Sequence, residues 1–435
     1  MFYYRDMKIN TDPKKVKEDK SSFPPFAEAR RGDELRSSSP FATARVIEEV
    51  LSRRVEEILP DKECLKHLMQ KRKIRLYLGV DPTGAKLHLG HTIVLRKLQE
   101  FADLGHEAAL VIGTGTVLAG DPSLREAARS RISEEEIERN MKTWKDQAKK
   151  ILDFSKVKIK YNGDWLLKLG LKEIINIASY VSAVKLFQRE MFQERLKRGD
   201  TVWMHETLYP LLQGYDSVAM DVDLEIGGSD QVFNMLIGRE LQRKMKNKDK
   251  FVLTCPMLLG IDGSPMSKTS GNCVWIQDSA DQMFGKIMSI SDNLIISYFE
   301  LLTDVPLKKI DQYKKVLQLK KINPRDLKEE LAFEITKMYH SQKAAEKAQE
   351  EFNKVFKEKE LPSKIPEIKI KGESLNILEL LMKSKLVNSK SEAKRLIVQK
   401  GVKIDGRIQD DWRKIVKIKK EMVIQVGKRK FVKVV

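Results

Sequence analysis

The sequence predicts an α/β fold, a doubly wound parallel sheet, followed by a helical segment and a small basic α+β tail. Three observations carry that expectation. Residues 74–80 (IRLYLGV) are apolar and alternating enough for a buried strand, and Val94, Leu98 and Phe101 then recur at helical spacing over residues 91–104. Residues 108–112 (AALVI) read as a second buried strand. Strand, turn, helix and strand in about 40 residues make a right-handed βαβ unit, whose ligands collect at the carboxyl ends of the strands. Chemistry is therefore to be sought in the turns DPTGAKLHLGH and GTGTVLAGDPS.

The remaining elements follow in chain order. Residues 1–43 are rich in Ser, Pro, Lys and Arg with little apolar periodicity, and read as a disordered extension. Its acidic residues and lack of an apolar core argue against a targeting signal. Helical spacing begins at about Ala44, Gly105 closes the first βαβ helix, and further strands are expected at 157–161, 224–227 and 252–259. Beyond about Val274 the pattern turns helical, lysine-rich and nearly free of glycine, so the sheet domain is placed at 44–275 and a helical domain at 276–358. Two prolines in 359–373 suggest a linker. Residues 374–435 follow as a separate domain. Their expected parts are a helix at Ile377, Leu380 and Leu381, and a second helix capped by Ser389 and Glu392 and ended by Gly401. A hairpin around Asp405-Gly406 follows.

Composition narrows the function. The 435 residues suffice for about two to four domains, and no apolar stretch approaches the roughly 20 residues of a spanning helix. Three cysteines (Cys64, Cys255, Cys273) without CxxC spacing fit neither a disulfide framework nor a structural zinc site, so a reducing cytoplasm is expected. Lys and Arg number 81 against 62 Asp and Glu, a net charge of +19. Of this surplus about +11 sits in residues 374–435, which hold 17 Lys and Arg against 6 Asp and Glu. Lys390, Lys394, Arg395, Lys400 and Lys403 cluster around the hairpin, a plausible grip on RNA phosphates; the competing reading is a solvated lysine-rich surface.

Several short motifs could carry chemistry. His88 and His91 in HLGH stand three apart at a helix start, beside free backbone N–H groups, where imidazoles could donate to an anion. The glycines Gly113, Gly115 and Gly120 do not match GxGxxG, so a nicotinamide site is disfavoured. GGSDQ places Asp230 and Gln231 where a ribose or an amino group could bind, and DGSPMSKTSGN holds Lys268 among small residues suited to closing over phosphates. Alone, each motif has an ordinary structural reading.

Taken in order, DPTG…HLGH, GDPS, YPLLQGYDS, GGSDQ and MSKTSGN resemble the bacterial-type class I tyrosyl-tRNA synthetases, from about Ala44 to the C-terminus. The tail is similar to their S-four-like RNA-binding domain. The resemblance implies a Rossmann-like catalytic sheet, an anticodon-binding helical domain and a cytoplasmic homodimer. Its partners would be L-tyrosine, ATP and tRNA, with Mg²⁺ arriving on the ATP and no tightly bound cofactor. It implies that Tyr77 and Asp216 bond the substrate phenol, while Asp121, Tyr209 and Gln213, with Gln231 nearby, hold its ammonium group. Gly79, Asp81, Gly90, Gly228 and Asp230 would line the ATP site. Thr83, His88, His91 and Lys268 would act on the phosphates, and Arg125 and Arg129 would reach the leaving pyrophosphate. Departures from the family pattern are Pro265 in place of the first lysine of the KMSKS-like loop, which is also a residue short, together with Leu124 and Thr114. A catalytically idle RNA-binding paralogue, a synthetase of relaxed or tryptophan specificity and a small-molecule adenylyltransferase are the rival expectations.

Overall fold

The structure, a computed structural model, describes residues 40–121, 134–266, 271–356, 365–370, 372–427 and 430–435. The extension expected to be disordered lies almost wholly outside them. The described chain opens with helix α1 (Pro40–Val50), a few residues ahead of the expected start at Ala44. A short strand β1 (Glu57–Leu59) and helix α2 (Lys62–Lys71) lead into the βαβ unit of β2 (Arg75–Val80), α3 (Leu89–Asp103) and β3 (Glu107–Ile112). Helix α4 (Glu134–Ala148) precedes β4 (Val157–Tyr161). Four short helices, α5 (Gly163–Leu166), α6 (Leu171–Ser179), α7 (Ala183–Phe187) and α8 (Glu190–Lys197), then lead to α9 (Met204–Met220). Strand β5 (Leu224–Gly228), α10 (Val232–Lys246) and β6 (Phe251–Cys255) complete the sheet.

The strand order is β1-β6-β5-β2-β3-β4, parallel throughout except for β1, which runs antiparallel on the β6 edge. Because β2 lies between β3 and β5, the chain reverses its direction of spread there, and a crevice opens at the strand ends. The parallel strands are covered on both faces, as alternating side chains require. Leu76, Leu78, Ala108, Leu110 and Ile112 join one core, whereas Tyr77, Ala109 and Val111 pack on the opposite side. Strand β6 is shorter than the expected 252–259: it ends at Cys255, immediately before Pro256, which cannot donate to a ladder. The antiparallel β1 strand is absent from the sequence expectation, since three residues carry no readable period.

The helical region comprises α11 (Ala280–Ile287), α12 (Ile295–Leu302), α13 (Leu307–Gln318), α14 (Pro324–Tyr339) and α15 (Gln342–Phe356). Its Met283, Phe284, Tyr298, Phe299 and Leu331 share one continuous apolar core with Leu76, Leu98 and Phe101 of the sheet layer. Buried Arg53 and Arg54 reinforce the join by donating to the carbonyls of Phe299, Glu300, Leu301, Thr303 and Val305. The carbonyls at a helix C-terminus lie beyond the reach of intrahelical donors, and the dipole there favours a cation; the Phe299 carbonyl accepts from Thr303 as well.

The tail has its own core, built from Ile377, Leu380, Leu381, Ile397, Val402, Ile424 and their neighbours. Its elements are β7 (Glu367–Ile368), β8 (Ser374–Asn376), α16 (Ile377–Lys383), α17 (Lys390–Val398), β9 (Val402–Ile404), β10 (Arg407–Gln409), β11 (Ile415–Lys417), β12 (Val423–Val426) and β13 (Lys430–Val434). The expected hairpin forms, with Asp405 and Gly406 both at positive φ and Arg407 paired to Ile404. Three local expectations need correction. Ser389 accepts from the Glu392 N–H, but Glu392 reaches back to the Asn388 N–H rather than to that of Ser389, so the capping box is only half formed. The left-handed residue closing α17 is Lys400, not Gly401. Strand β7 pairs with β13 inside the stretch expected to be linker.

Candidate active site

A cavity of about 190 Å³ opens at the carboxyl ends of β2, β3 and β5, where the strand order reverses. Asp81 follows β2 into it, accepting from the Tyr209 hydroxyl (2.9 Å) and from Thr116 Oγ1 (2.7 Å). Gly113, at the end of β3, is glycine for a steric reason: a Cβ there would come within 1.7 Å of the Asp81 carboxylate. Burial pushes the Asp81 carboxyl up to about 7, and the nearby Asp121 charge adds to the effect.

Asp216 projects from α9, because positions 209, 213 and 216 share the face of the helix that lines the cavity. Its two oxygens accept from Trp165 Nε1 (2.8 Å) and Asn162 Nδ2 (3.1 Å). Both bonds favour the charged form, yet burial outweighs them and lifts this carboxyl to about 8. Asn162 also accepts from the Gly115 N–H (2.7 Å), which ties the end of β4 to the turn after β3. Asp121 accepts from Gln231 Nε2 (3.1 Å), and the same amide reaches Asp230 (2.9 Å). Four carboxylates, Asp81, Asp121, Asp216 and Glu225, thus line one small cavity. Such a site suits an ammonium group and a hydroxyl donor, whose arrival would relieve the mutual repulsion of the carboxylates.

The histidine pair is better defined than the sequence foretells. His88 caps α3: its Nδ1 accepts from the Gly90 N–H, while His91 Nδ1 accepts from the His88 N–H, each at 3.2 Å. Since both Nδ1 atoms act as acceptors, the hydrogen-bond pattern assigns the proton of each neutral ring to Nε2. Two Nε2–H donors, on rings 3.9 Å apart, therefore stand beside a helix N-terminus, a set suited to phosphoryl oxygens.

One face of α4 holds the loop between β2 and α3. Asn140 donates to the Pro82 carbonyl (2.8 Å), Thr143 to Ala85 (2.9 Å) and Trp144 to Gly84. Gln147 both donates to Ala85 and accepts from the Leu87 N–H, each at 2.8 Å. This i, i+3, i+4, i+7 stripe turns a loop into a fixed platform for the histidines that follow it.

Of the expected site residues, Gly79, Asp81, Thr83, His91, Asp121, Tyr209, Gln213, Asp216, Gly228 and Gln231 line this cavity together. His88, Gly90 and Asp230 stand against that set through the bonds just given. Tyr77 is fully buried behind the wall, with its hydroxyl 3.0 Å from Ser217 Oγ. Arg125, Arg129 and Lys268 lie outside the described residues. In the tail, Lys390, Lys394, Arg395 and Lys400 are exposed and Lys403 is half-buried; Lys394 and Arg413 both lie over the Trp412 ring, at 4.2 and 4.8 Å. Sequence reasoning missed Thr116, Asn162, Trp165 and Glu225. The only available signal was position, since each sits at or just beyond a strand end or mid-strand on the cavity side.

Comparison with known proteins identifies the family of the chain. A family model described as "tRNA synthetases class I (W and Y)" matches residues 69–357, and one described as "Tyrosine–tRNA ligase SYY-like C-terminal domain" matches residues 357–434. The chain is 44% identical to the tyrosine–tRNA ligase of Thermotoga maritima over 88% of this chain and 96% of that one. It is 43% identical to that of Carboxydothermus hydrogenoformans over 89% and 97%. Among solved structures, the tyrosyl-tRNA synthetase of Archaeoglobus fulgidus complexed with L-tyrosine aligns with a TM-score of 0.57 at 19% identity, covering 71% of this chain and 98% of that one. A C-terminally truncated mitochondrial tyrosyl-tRNA synthetase of Aspergillus nidulans gives 0.59 at 19% identity, covering 72% and 98%. At such identities the structural likeness concerns the fold.

Proposed function

We infer how this site works from one premise: the chain belongs to the W and Y group of class I tRNA synthetases, among the tyrosine–tRNA ligases. These enzymes join tyrosine to its tRNA at the expense of ATP. In the proposed division of labour, Asp216 receives the substrate phenol, with Tyr77 behind it, while Asp121, Tyr209, Gln213 and Gln231 receive the ammonium group. Gly79, Asp81, Gly90, Gly228 and Asp230 form the nucleotide site. Thr83, His88, His91 and Lys268, with Arg125 and Arg129, face the phosphates, and Mg²⁺ enters as part of the nucleotide substrate. The observation that carries this reading is the grouping of Asp121, Gln213 and Asp216 in one cavity beside the Nε2–H donors of the histidines.

The chemistry asks little more of the protein. Tyrosine's carboxylate is already a competent nucleophile toward the α-phosphorus, so no protein base is required. Acceleration then comes from alignment of the reactants and from donors aimed at phosphoryl oxygens as their charge redistributes. A fixed loop carrying two imidazoles with their protons on Nε2 supplies such donors without rearrangement during the reaction.

We assign residues 44–275 to activation of tyrosine, 276–358 to anticodon binding and 374–435 to RNA contact, in a cytoplasmic homodimer. Tyrosine-dependent ATP–pyrophosphate exchange with all twenty amino acids tests the reading. Tyrosine alone should support rapid exchange. Asp216→Ala should narrow the preference for tyrosine over phenylalanine about 100-fold or more, because the variant loses the buried partner of the phenol hydroxyl, with little change in the ATP KM. Exchange that is absent, or a preference unchanged in the variant, overturns it.

A further inference from the structure

Beneath the cavity lies a charged pair that the reading above leaves unused. Glu225 stands in the middle of β5, opposite Tyr77 of β2 in the sheet register, with 1% of its surface exposed. Lys250, fully buried just before β6, donates to Glu225 Oε2 and to Ser217 Oγ (2.7 Å). The fold has cleared room for that lysine. A Cβ at Gly238 of α10 would approach Lys250 Nζ to 2.6 Å and Ser217 Oγ to 3.0 Å, so the glycine admits the lysine to its place. Buried ion pairs rarely stabilise more than apolar residues of the same volume would, so stability alone is a weak reason for this arrangement.

The other oxygen of Glu225 has a more telling partner. Gln213 Nε2 donates to Glu225 Oε1 at 3.1 Å, and the Gln213 carbonyl oxygen is buried with no hydrogen-bond partner among the described residues. An ionised carboxylate can only accept, so the amide must turn its NH₂ toward Glu225 and its carbonyl away. In Glu225→Gln the Lys250 ammonium would hold the amide oxygen, so the NH₂ would face Gln213 and turn the Gln213 carbonyl toward it, which presents a donor where the substrate's ammonium also donates.

We propose that Glu225, paired with Lys250, is a positioning residue that fixes the Gln213 amide so that its carbonyl oxygen is offered to the ammonium group of tyrosine. The inference rests on the tyrosine-activating reading and adds to it the origin of amino-group recognition. It also explains why a carboxylate that touches the cavity wall is neutralised from behind. A free Glu225 would itself attract the ammonium and displace it from Asp121, whereas the paired one acts only through Gln213.

The test is Glu225→Gln in the full chain, assayed by pyrophosphate exchange. The tyrosine KM should rise about 10- to 100-fold, as expected for loss of a charge-assisted hydrogen bond, while kcat and the ATP KM stay within about twofold. Inhibition by 3-(4-hydroxyphenyl)propanoate, which lacks the amino group, should be unchanged. That last readout separates orientation of Gln213 from general damage to the pocket, which would weaken both ligands alike. Because Glu225→Gln leaves Lys250 buried without its counter-charge, the double variant Glu225→Gln, Lys250→Met is made in parallel and should show the same pattern with a smaller rise in the tyrosine KM, since both orientations of Gln213 are then open. An unchanged tyrosine KM, or equal losses for tyrosine and the deaminated analogue in either folded variant, overturns the proposal. If the wild-type chain itself shows no tyrosine-dependent exchange, it is the activating reading that fails.

Discussion

At the scale of single residues the site is a set of carboxyl groups held where water cannot fully solvate them, and this has a measurable cost in the empty protein. Asp81 titrates near 7 in the folded chain against an ordinary 3.8. The folded state therefore retains a proton that the unfolded chain releases from about pH 4 upward. Its stabilising contribution is present below about pH 4 and is lost as the pH rises through 7. Asparagine keeps the shape, and its two partners, the hydroxyls of Thr116 and Tyr209, can each turn to donate or accept. Asp81→Asn should thus match the wild type near pH 4 and gain on it steadily up to about pH 8, by on the order of 3 kcal/mol. Asp216 contributes in the same sense, and because the Asp81 charge is part of what raises it, the substitution relieves some of that cost too, which adds to the gain at high pH. Urea midpoints measured from pH 4 to 8.5 decide the matter, and a difference that does not vary with pH would mean that Asp81 is ionised throughout. The variant should also bind ATP less well, which is the usual exchange of stability for function at such sites.

At the scale of elements, the helices between β4 and α9 carry an unexpected surface. Nine of the seventeen exposed large apolar side chains among the described residues fall between Leu167 and Met204. Helix α6 is apolar on both sides: Ile177 is buried, whereas Leu171, Ile174 and Ile175 face outward. A helix apolar all round is normally covered, and the proposed second subunit is the natural cover. Leu171→Glu with Ile175→Glu, one turn apart, should convert a dimer into a monomer in sedimentation velocity while leaving the fold intact by circular dichroism. A wild-type chain that sediments as a monomer at micromolar concentration would refute the dimer. Helical stretches between β4 and β5 were legible beforehand, but not their number or bounds, because an outward apolar face blurs the contrast on which helical periodicity depends. The βαβ unit was legible, since a buried parallel strand is a bare apolar run such as AALVI and Gly105 marks the helix end. The motif residues could be read from their turns. Asn162 and Trp165 could not, because their link to Asp216 is made across more than fifty residues of chain and leaves no local trace.

At the scale of the whole molecule, charge and chemistry are kept apart. The cavity that would activate tyrosine is lined by carboxylates, while about +11 of the net +19 sits on a tail with its own core. Because that core is separate, removing the tail should spare activation and impair only the step that needs RNA. The structure also dictates where to cut. Strand β7 pairs with β13, and Ile368 and Ile370 pack on the tail core, so a break at Ser374 would leave apolar residues without their partners. A chain ending at Phe356 should retain full tyrosine-dependent exchange and lose most of its tRNA charging at physiological salt. If the tail acts by phosphate contact, the loss must also depend on salt in a countable way. Each lysine or arginine that neutralises a phosphate contributes about 0.7–0.9 to the slope of log affinity against log salt. Replacing Lys390, Arg395 and Lys400 by glutamine should therefore flatten that slope by about 2–3, with exchange unchanged. Lys394 is left out of the set because its ammonium already lies over Trp412, where substitution would alter packing as well as charge. A triple variant with an unaltered slope would make these residues a solvated surface, and the tail's contribution to tRNA binding would then have to come from the opposite face of its sheet.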